Sequence, residues 1–380
     1  MIYLDNNATT RIAPEVLDAM LPHLTTEWGN PSSAHVAGRV ARAAVDDARV
    51  QVARFLGAAS PDEIVLTSGG SESNNWAIGG FLEQNPTKRH IITTTVEHEA
   101  VRNLCRHLQD IGCEVTWLTV DHNGELDLGD LRKALRRDTG IVSVMMANNE
   151  TGVLFPIEEI GQTVRERSDA VIHVDGVQAV GKIPIDLKDL PVDLFSVSGH
   201  KFHAPKGIGA LYLRRSINLP PFVIGGGQEQ GRRSGTEAVA NVVGLGRACE
   251  LAQHFAEHGQ VRAMRDRLED QILAQFPGAQ LNGAAAREKR LPNTSNISFA
   301  GRDGADLMTQ LDKSGICVST GSACHSGSNE VSAVLRAMNT PVEIARGSIR
   351  FSVGRYNTMD EIEAVLTALE SILSQNGLRL

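Results

Sequence analysis

Between residues 63 and 213, short apolar runs rich in β-branched residues alternate with stretches of helical periodicity. The runs at 63–67, 90–94, 114–118, 141–146, 170–174, 194–198 and 208–213 read as strands. Segments 71–83, 97–111 and 157–167 read as helices. These strands are apolar throughout instead of alternating with polar residues, so both of their faces need cover. That pattern predicts an α/β fold, with a mostly parallel sheet covered by helices. The last third is built differently. One long helical region is expected over 240–275, then a strand at 296–299 and a helix at 304–314. A Gly/Ser loop at 319–329, a strand at 348–352 and a helix at 359–374 follow. The reading is a large domain over 16–250 and a smaller α+β domain made of 1–15 and 251–380.

Composition narrows the function. Lys plus Arg is 37 and Asp plus Glu is 45, a net charge of −8, which argues against direct binding of nucleic acid or a membrane surface. Aromatic residues are only 4%, too few for a base-stacking platform. No run of about 18 apolar residues is present, and the first residues lack the basic and apolar regions of a secretory signal. The five cysteines at 105, 113, 249, 317 and 324 are odd in number and scattered, as in reduced cytoplasmic chains. Cys105, His107 and Cys113 straddle a helix end and a strand and are expected to be core residues, so no metal site is expected.

Several residues stand where chemistry is done. In Thr67-Ser-Gly-Gly-Ser-Glu-Ser-Asn-Asn75 a strand ends, two glycines turn the chain and a helix starts near Ser71. The N–H groups of such a helix start suit an anion, although an ordinary helix cap has the same signature. Asp175 closes a strand at the carboxyl edge of the expected sheet, where ligands of α/β sheets sit. Lys201 follows another strand within three residues, in Ser198-Gly-His-Lys201. An acid for a pyridinium nitrogen and a lysine for an aldehyde are the two groups that pyridoxal phosphate requires. Eight of the eleven residues over 318–328 are Gly, Ser, Thr or Ala, and they present Cys324 on a polar loop where a thiolate can react. His98, at a helix start, has the flat ring to stack on a cofactor or serves the helix alone. Asn149 and Gln178 stand near strand ends, and Thr236 follows Arg233-Ser-Gly. Arg350 lies inside an apolar strand and needs a carboxylate, from a substrate or from a nearby acid.

Taken together, these motifs resemble the cysteine desulfurases of the NifS/IscS-like group, pyridoxal 5′-phosphate enzymes of fold type I. The resemblance rests on Tyr3-Leu-Asp-Asn-Asn-Ala-Thr-Thr10, Gly29-Asn-Pro-Ser-Ser33 with His35, and Ser68-Gly-Gly-Ser-Glu-Ser-Asn-Asn75. It extends through Glu97-His98, Asn148-Asn-Glu150, His173-Val-Asp175, Ser198-Gly-His-Lys201, Arg233-Ser-Gly-Thr236 and Gly321-Ser-Ala-Cys324. It implies that Lys201 bonds the cofactor aldehyde, Asp175 holds the ring nitrogen and His98 stacks on the ring. Asn149 and Gln178 would bond the ring hydroxyl, and Gly70, Ser71, Ser198 and His200 the phosphate. Thr236 would reach the phosphate of a second subunit in a homodimer. Asn30 and Arg350 would hold the carboxylate of L-cysteine, and Cys324 would take its sulfur as a persulfide, leaving L-alanine. The sulfur would pass to an acceptor protein of iron–sulfur assembly, tRNA thiolation or DNA sulfur modification. The chain departs from the family at Gly70-Ser71, often Ala-Thr there, at Gly176, usually Ala, and at His203-Ala204, commonly Tyr-Gly. It ends soon after 359–374, without the longer tail of housekeeping members, which leaves the acceptor open.

Overall fold

The structure, a computed structural model, describes residues 1–253, 259–320 and 331–374. Its strands are β1 (Ile2–Tyr3), β2 (Ile64–Thr67), β3 (His90–Thr94), β4 (Glu114–Leu118), β5 (Thr139–Met145) and β6 (Val171–Asp175), followed by β7 (Leu194–Ser198), β8 (Gly209–Leu213), β9 (Ala279–Leu281), β10 (Thr294–Phe299), β11 (Ile316–Cys317) and β12 (Ser348–Ser352). A seven-stranded sheet runs in the order β2-β8-β7-β6-β5-β3-β4. Strand β8 is antiparallel to both neighbours, and the other pairings are parallel. The strands of the middle are buried at every position, whereas β4, on the edge, is partly exposed.

Successive residues of one strand feed opposite faces. Ile92 and Val142 join a core with Val45, Val52 and Leu245, beneath the helices Pro14–Thr25, Val36–Leu56 and Val239–Gln253. Ile91 and Ile141 join a second core with Trp76, Phe81 and Val101 on the other side. A third core, around Leu268, Ile297, Phe351 and Val365, fills the space between the antiparallel sheet β12-β10-β9 and the helices Gly259–Gln275 and Met359–Ser374. Leu4 belongs to this third core, and Ala13 and Val16 to the first. The N-terminal segment therefore stitches the two regions together. Its Leu4 and Asn6 N–H groups bond the carbonyls of Cys317 and Ser352, and those of Thr10 and Ala13 bond the carbonyls of His200 and His203.

The expected helix at 71–83 is present as one helical stretch from 70 to 84, but it widens into a π-helical turn over Trp76–Gly80. Trp76 is wholly buried there and donates its indole N–H to the Pro220 carbonyl at 2.8 Å. The expected helix over 240–275 resolves into Val239–Gln253 and Gly259–Gln275, with 254–258 outside the described residues. Strands β1, β9 and β11 are too short for periodicity to reveal. No helix among the described residues is long and apolar enough to cross a membrane.

Candidate active site

Apart from β8, the strands of the large sheet end at one edge, and the chain segments leaving that edge surround a cavity of about 200 Å³. Gly70 and Ser71 come from the segment after β2, His98 from that after β3, and Asn149 from that after β5. Asp175 ends β6 and Gln178 follows it, Ser198 ends β7, and His200 and Lys201 complete one 3-10 turn beyond it. Parallel strands generate this convergence, because each returns its carboxyl end to the same side.

Asp175 is nearly buried, at 5% exposure. Its Oδ2 accepts from Asn74 Nδ2 at 2.7 Å, and its Oδ1 from the Val177 N–H at 3.0 Å. Neither donor carries a charge, so the carboxylate is suited to a protonated ring nitrogen. Asn74 lines the same cavity, and the sequence reading gave it no role. Below it, buried His173 is bonded to Ser143 and Ser196, and burial holds its pKa down at about 3. Glu97 is buried beside the site and accepts from Thr94 Oγ1 and the Met145 N–H. Burial is the main cause that pushes its pKa up to about 8, with Asp175 adding to it.

His98 caps the helix Glu99–Asp110, its Nδ1 accepting from the Ala100 N–H at 3.1 Å. An Nδ1 that accepts carries no proton. Burial lowers the His98 pKa, Lys201 adds to this and Asp175 opposes it. The ring is thus both a helix cap and a neutral flat surface at the cavity. His200 bonds Thr9 Oγ1 through Nδ1, and burial with the nearby lysines 201, 206 and 182 holds its pKa at about 4.

Lys201 Nζ donates to the carbonyls of Asn7 at 2.6 Å and Ala8 at 2.9 Å. The N-terminal segment therefore holds the Lys201 amine, a contact that the sequence gave no spacing signal to find. Asn7, at 1% exposure, is a hub. Its carbonyl also accepts from Gln178 Nε2, its Oδ1 accepts from Lys182 and Asn293, and its Nδ2 donates to Thr294 Oγ1 and the Asn149 carbonyl.

Three expected residues that the structure describes stand outside this cavity's lining. Arg350 lies close by, donating to the Asn149 carbonyl at 3.0 Å and pairing with Asp5 at 2.7 Å, so a nearby acid does meet its need. Asn30 is exposed in the turn before the helix Val36–Leu56, its Oδ1 accepting from the Ser32 N–H. Thr236 lines a separate cavity of about 110 Å³ with Ser68 and Arg233, and Arg233 pairs with Glu72 at the helix start. Cys324 lies outside the described residues. Cys105 and Cys249 are core thiols, both pushed up by burial, Cys105 to about 12.

Two of the departures from the family are filled by neighbours. A Cβ on Gly176 would lie 1.9 Å from Phe195 Cζ, and one on Gly70 would lie 2.6 Å from Val177 Cγ2. Both leave the polar groups of the site in place.

A carboxylate held only by uncharged donors, N–H groups and hydroxyls at a helix start, and a lysine, all lining one cavity, fit pyridoxal phosphate. The comparisons with known proteins agree. The family model for aminotransferase class-V matches residues 2–365. Cysteine desulfurase 2 of Trichormus variabilis is 52% identical over 376 residues, covering 99% of this chain and 94% of that one. A solved NifS-like protein superposes with a TM-score of 0.93 at 39% identity, covering 98% of this chain and 99% of that one. SspA, solved in complex with cysteine, superposes with a TM-score of 0.83 at 36% identity, covering 94% and 100%. The chain belongs to the class-V aminotransferase family and, within it, to the cysteine desulfurases, which work with pyridoxal 5′-phosphate.

Proposed function

We propose that this chain converts L-cysteine to L-alanine and carries the released sulfur on Cys324 to an acceptor protein. The observation that carries the reading is the meeting of Lys201 and Asp175 on one cavity wall set with His98, Asn149, Gln178 and Ser198. Bound pyridoxal phosphate supplies an electron sink that makes the substrate Cα–H acidic and loosens the bond to sulfur. Asp175 keeps the proton on the ring nitrogen, and Asn74 holds Asp175 in place. His98 stacks on the ring as a neutral imidazole. Asn149 and Gln178 bond the ring hydroxyl, while Gly70, Ser71, Ser198 and His200 hold the phosphate. Arg350 and Asn30 take the substrate carboxylate, Arg350 exchanging part of its pairing with Asp5.

Lys201 would hold the cofactor through its aldehyde, and its free amine would be the base that takes the proton from the substrate Cα. The Cys324 thiolate attacks the substrate sulfur. A sulfur–sulfur bond forms, the carbon–sulfur bond breaks, and its electron pair stays with the carbon skeleton, which takes up protons to become alanine. The balance is cysteine plus enzyme thiol giving alanine plus enzyme persulfide.

Thr236 lines a cavity other than that of Lys201, which supports the reading that it serves the phosphate of a second subunit in a homodimer. The scattered cysteines, with their two buried core thiols, favour the cytoplasm. The acceptor belongs to iron–sulfur assembly, tRNA thiolation or DNA sulfur modification. The test is Cys324→Ala. It should retain the yellow cofactor yet release no sulfide from L-cysteine, whereas undiminished sulfide release removes Cys324 from the mechanism.

A further inference from the structure

Lys182 stands four residues beyond Gln178, on the turn that follows β6, and its side chain reaches back to the site. Its Nζ donates to Gln178 Oε1 at 2.7 Å and to Asn7 Oδ1 at 2.9 Å. The Gln178 Nε2 donates in turn to the Asn7 carbonyl at 3.0 Å, the same carbonyl on which Lys201 Nζ rests. An amide has one acceptor end and one donor end, and a lysine amine bonded to an oxygen acts only as donor. With Lys182 on one side and a carbonyl on the other, the Gln178 amide has one orientation that satisfies both. Its remaining N–H is left for the cavity that Gln178 lines.

We propose that Lys182 is a positioning residue: seated between Gln178 and Asn7, it fixes the Gln178 amide with an N–H toward the cofactor's ring hydroxyl, and it steadies the carbonyl under Lys201. The assignment rests on the reading of Gln178 given above and gives the chain's opening Asn7 a part in it. The groups that act on Lys182 are cationic. Burial, then Lys201 and Arg350, lower its pKa well below the usual lysine range, and Lys182 in turn lowers those of His200 and His203. Against these cations, the oxygens of Gln178 and Asn7 are the partners that hold the amine.

The test loads Lys182→Met and Lys182→Gln with pyridoxal 5′-phosphate and follows the visible absorption band of the bound cofactor against pH. An N–H donated to the ring oxygen stabilises its anion and weakens the hold on the proton at the lysine-bonded nitrogen. Lys182→Met loses the amine that orients the Gln178 amide, so the Gln178 N–H is no longer held on the ring oxygen and the band's titration midpoint should rise by roughly one unit. Lys182→Gln, which keeps an N–H at the same place, should recover most of the wild-type midpoint. An unmoved midpoint in Lys182→Met overturns the proposal, as does a shift in Lys182→Gln as large as that in Lys182→Met. If Lys182→Met does not fold, Lys182→Gln decides alone, and a full one-unit shift there contradicts the proposal. A wild-type protein that gains no visible band with pyridoxal phosphate sinks the reading of the site itself, whereas a normal wild-type band with an unmoved variant midpoint sinks only the role of Lys182.

Discussion

Asn74 illustrates what single residues do here. It sits one helical turn past Gly70, at 1% exposure, and its amide N–H holds one oxygen of Asp175. Hydrogen bonds to a charged group are worth about 1.5–3 kcal/mol. Asn74→Leu should therefore lower kcat by about 10- to 100-fold while cysteine still binds, measured as alanine formation under steady-state conditions. Asp175→Asn should cost more, about 1000-fold or beyond, because the ring nitrogen then loses the charge that keeps its proton. Asp175 and Lys201 could be singled out in the sequence because one closes a strand and the other follows one within three residues. Asn74 and Asn7 were not, since their importance comes from contacts across 101 and 194 residues of chain. No spacing rule reaches that far. Lys182 was hidden for the same reason, because its partner Asn7 belongs to the other end of the fold.

At the scale of elements, the strand-ending turn after β6 is tuned to its neighbour β7. Gly176 leaves room for the Phe195 ring, where a Cβ would lie 1.9 Å from Cζ. Gly176→Ala should destabilise the protein by about 1–3 kcal/mol, read from denaturant unfolding. Adding Phe195→Leu should give a double variant less destabilised than the sum of the two singles, because the two side chains contend for one space. The parallel strands could be read from sequence because their residues are apolar on both faces. The π-helical turn at Trp76–Gly80 could not, since its Trp76 bonds the Pro220 carbonyl 144 residues away, a contact no local pattern marks.

Across the whole molecule, buried titratable groups set how stability depends on pH. Burial raises the Glu97 carboxyl from its ordinary value to about 8. The folded chain thus holds a proton there between about 4.5 and 8 that the unfolded chain releases. Its contribution is full below pH 4.5 and is lost as pH rises through 8, a change on the order of a few kcal/mol. Glu97→Gln copies the neutral acid, so its melting temperature should fall less than wild type's between pH 5 and 8. An identical slope in the two proteins would mean that Glu97 is ionised in the fold. His173, lowered to about 3, acts with the opposite sign, and its contribution is lost as pH drops below about 6.5. The most direct test of the whole account is chemical. Active protein reduced with borohydride in the presence of pyridoxal phosphate, then digested and mapped, should carry the reduced cofactor on the peptide containing Lys201. Label on Lys182 or Lys206 instead, or an unmodified Lys201 in fully active protein, would contradict it.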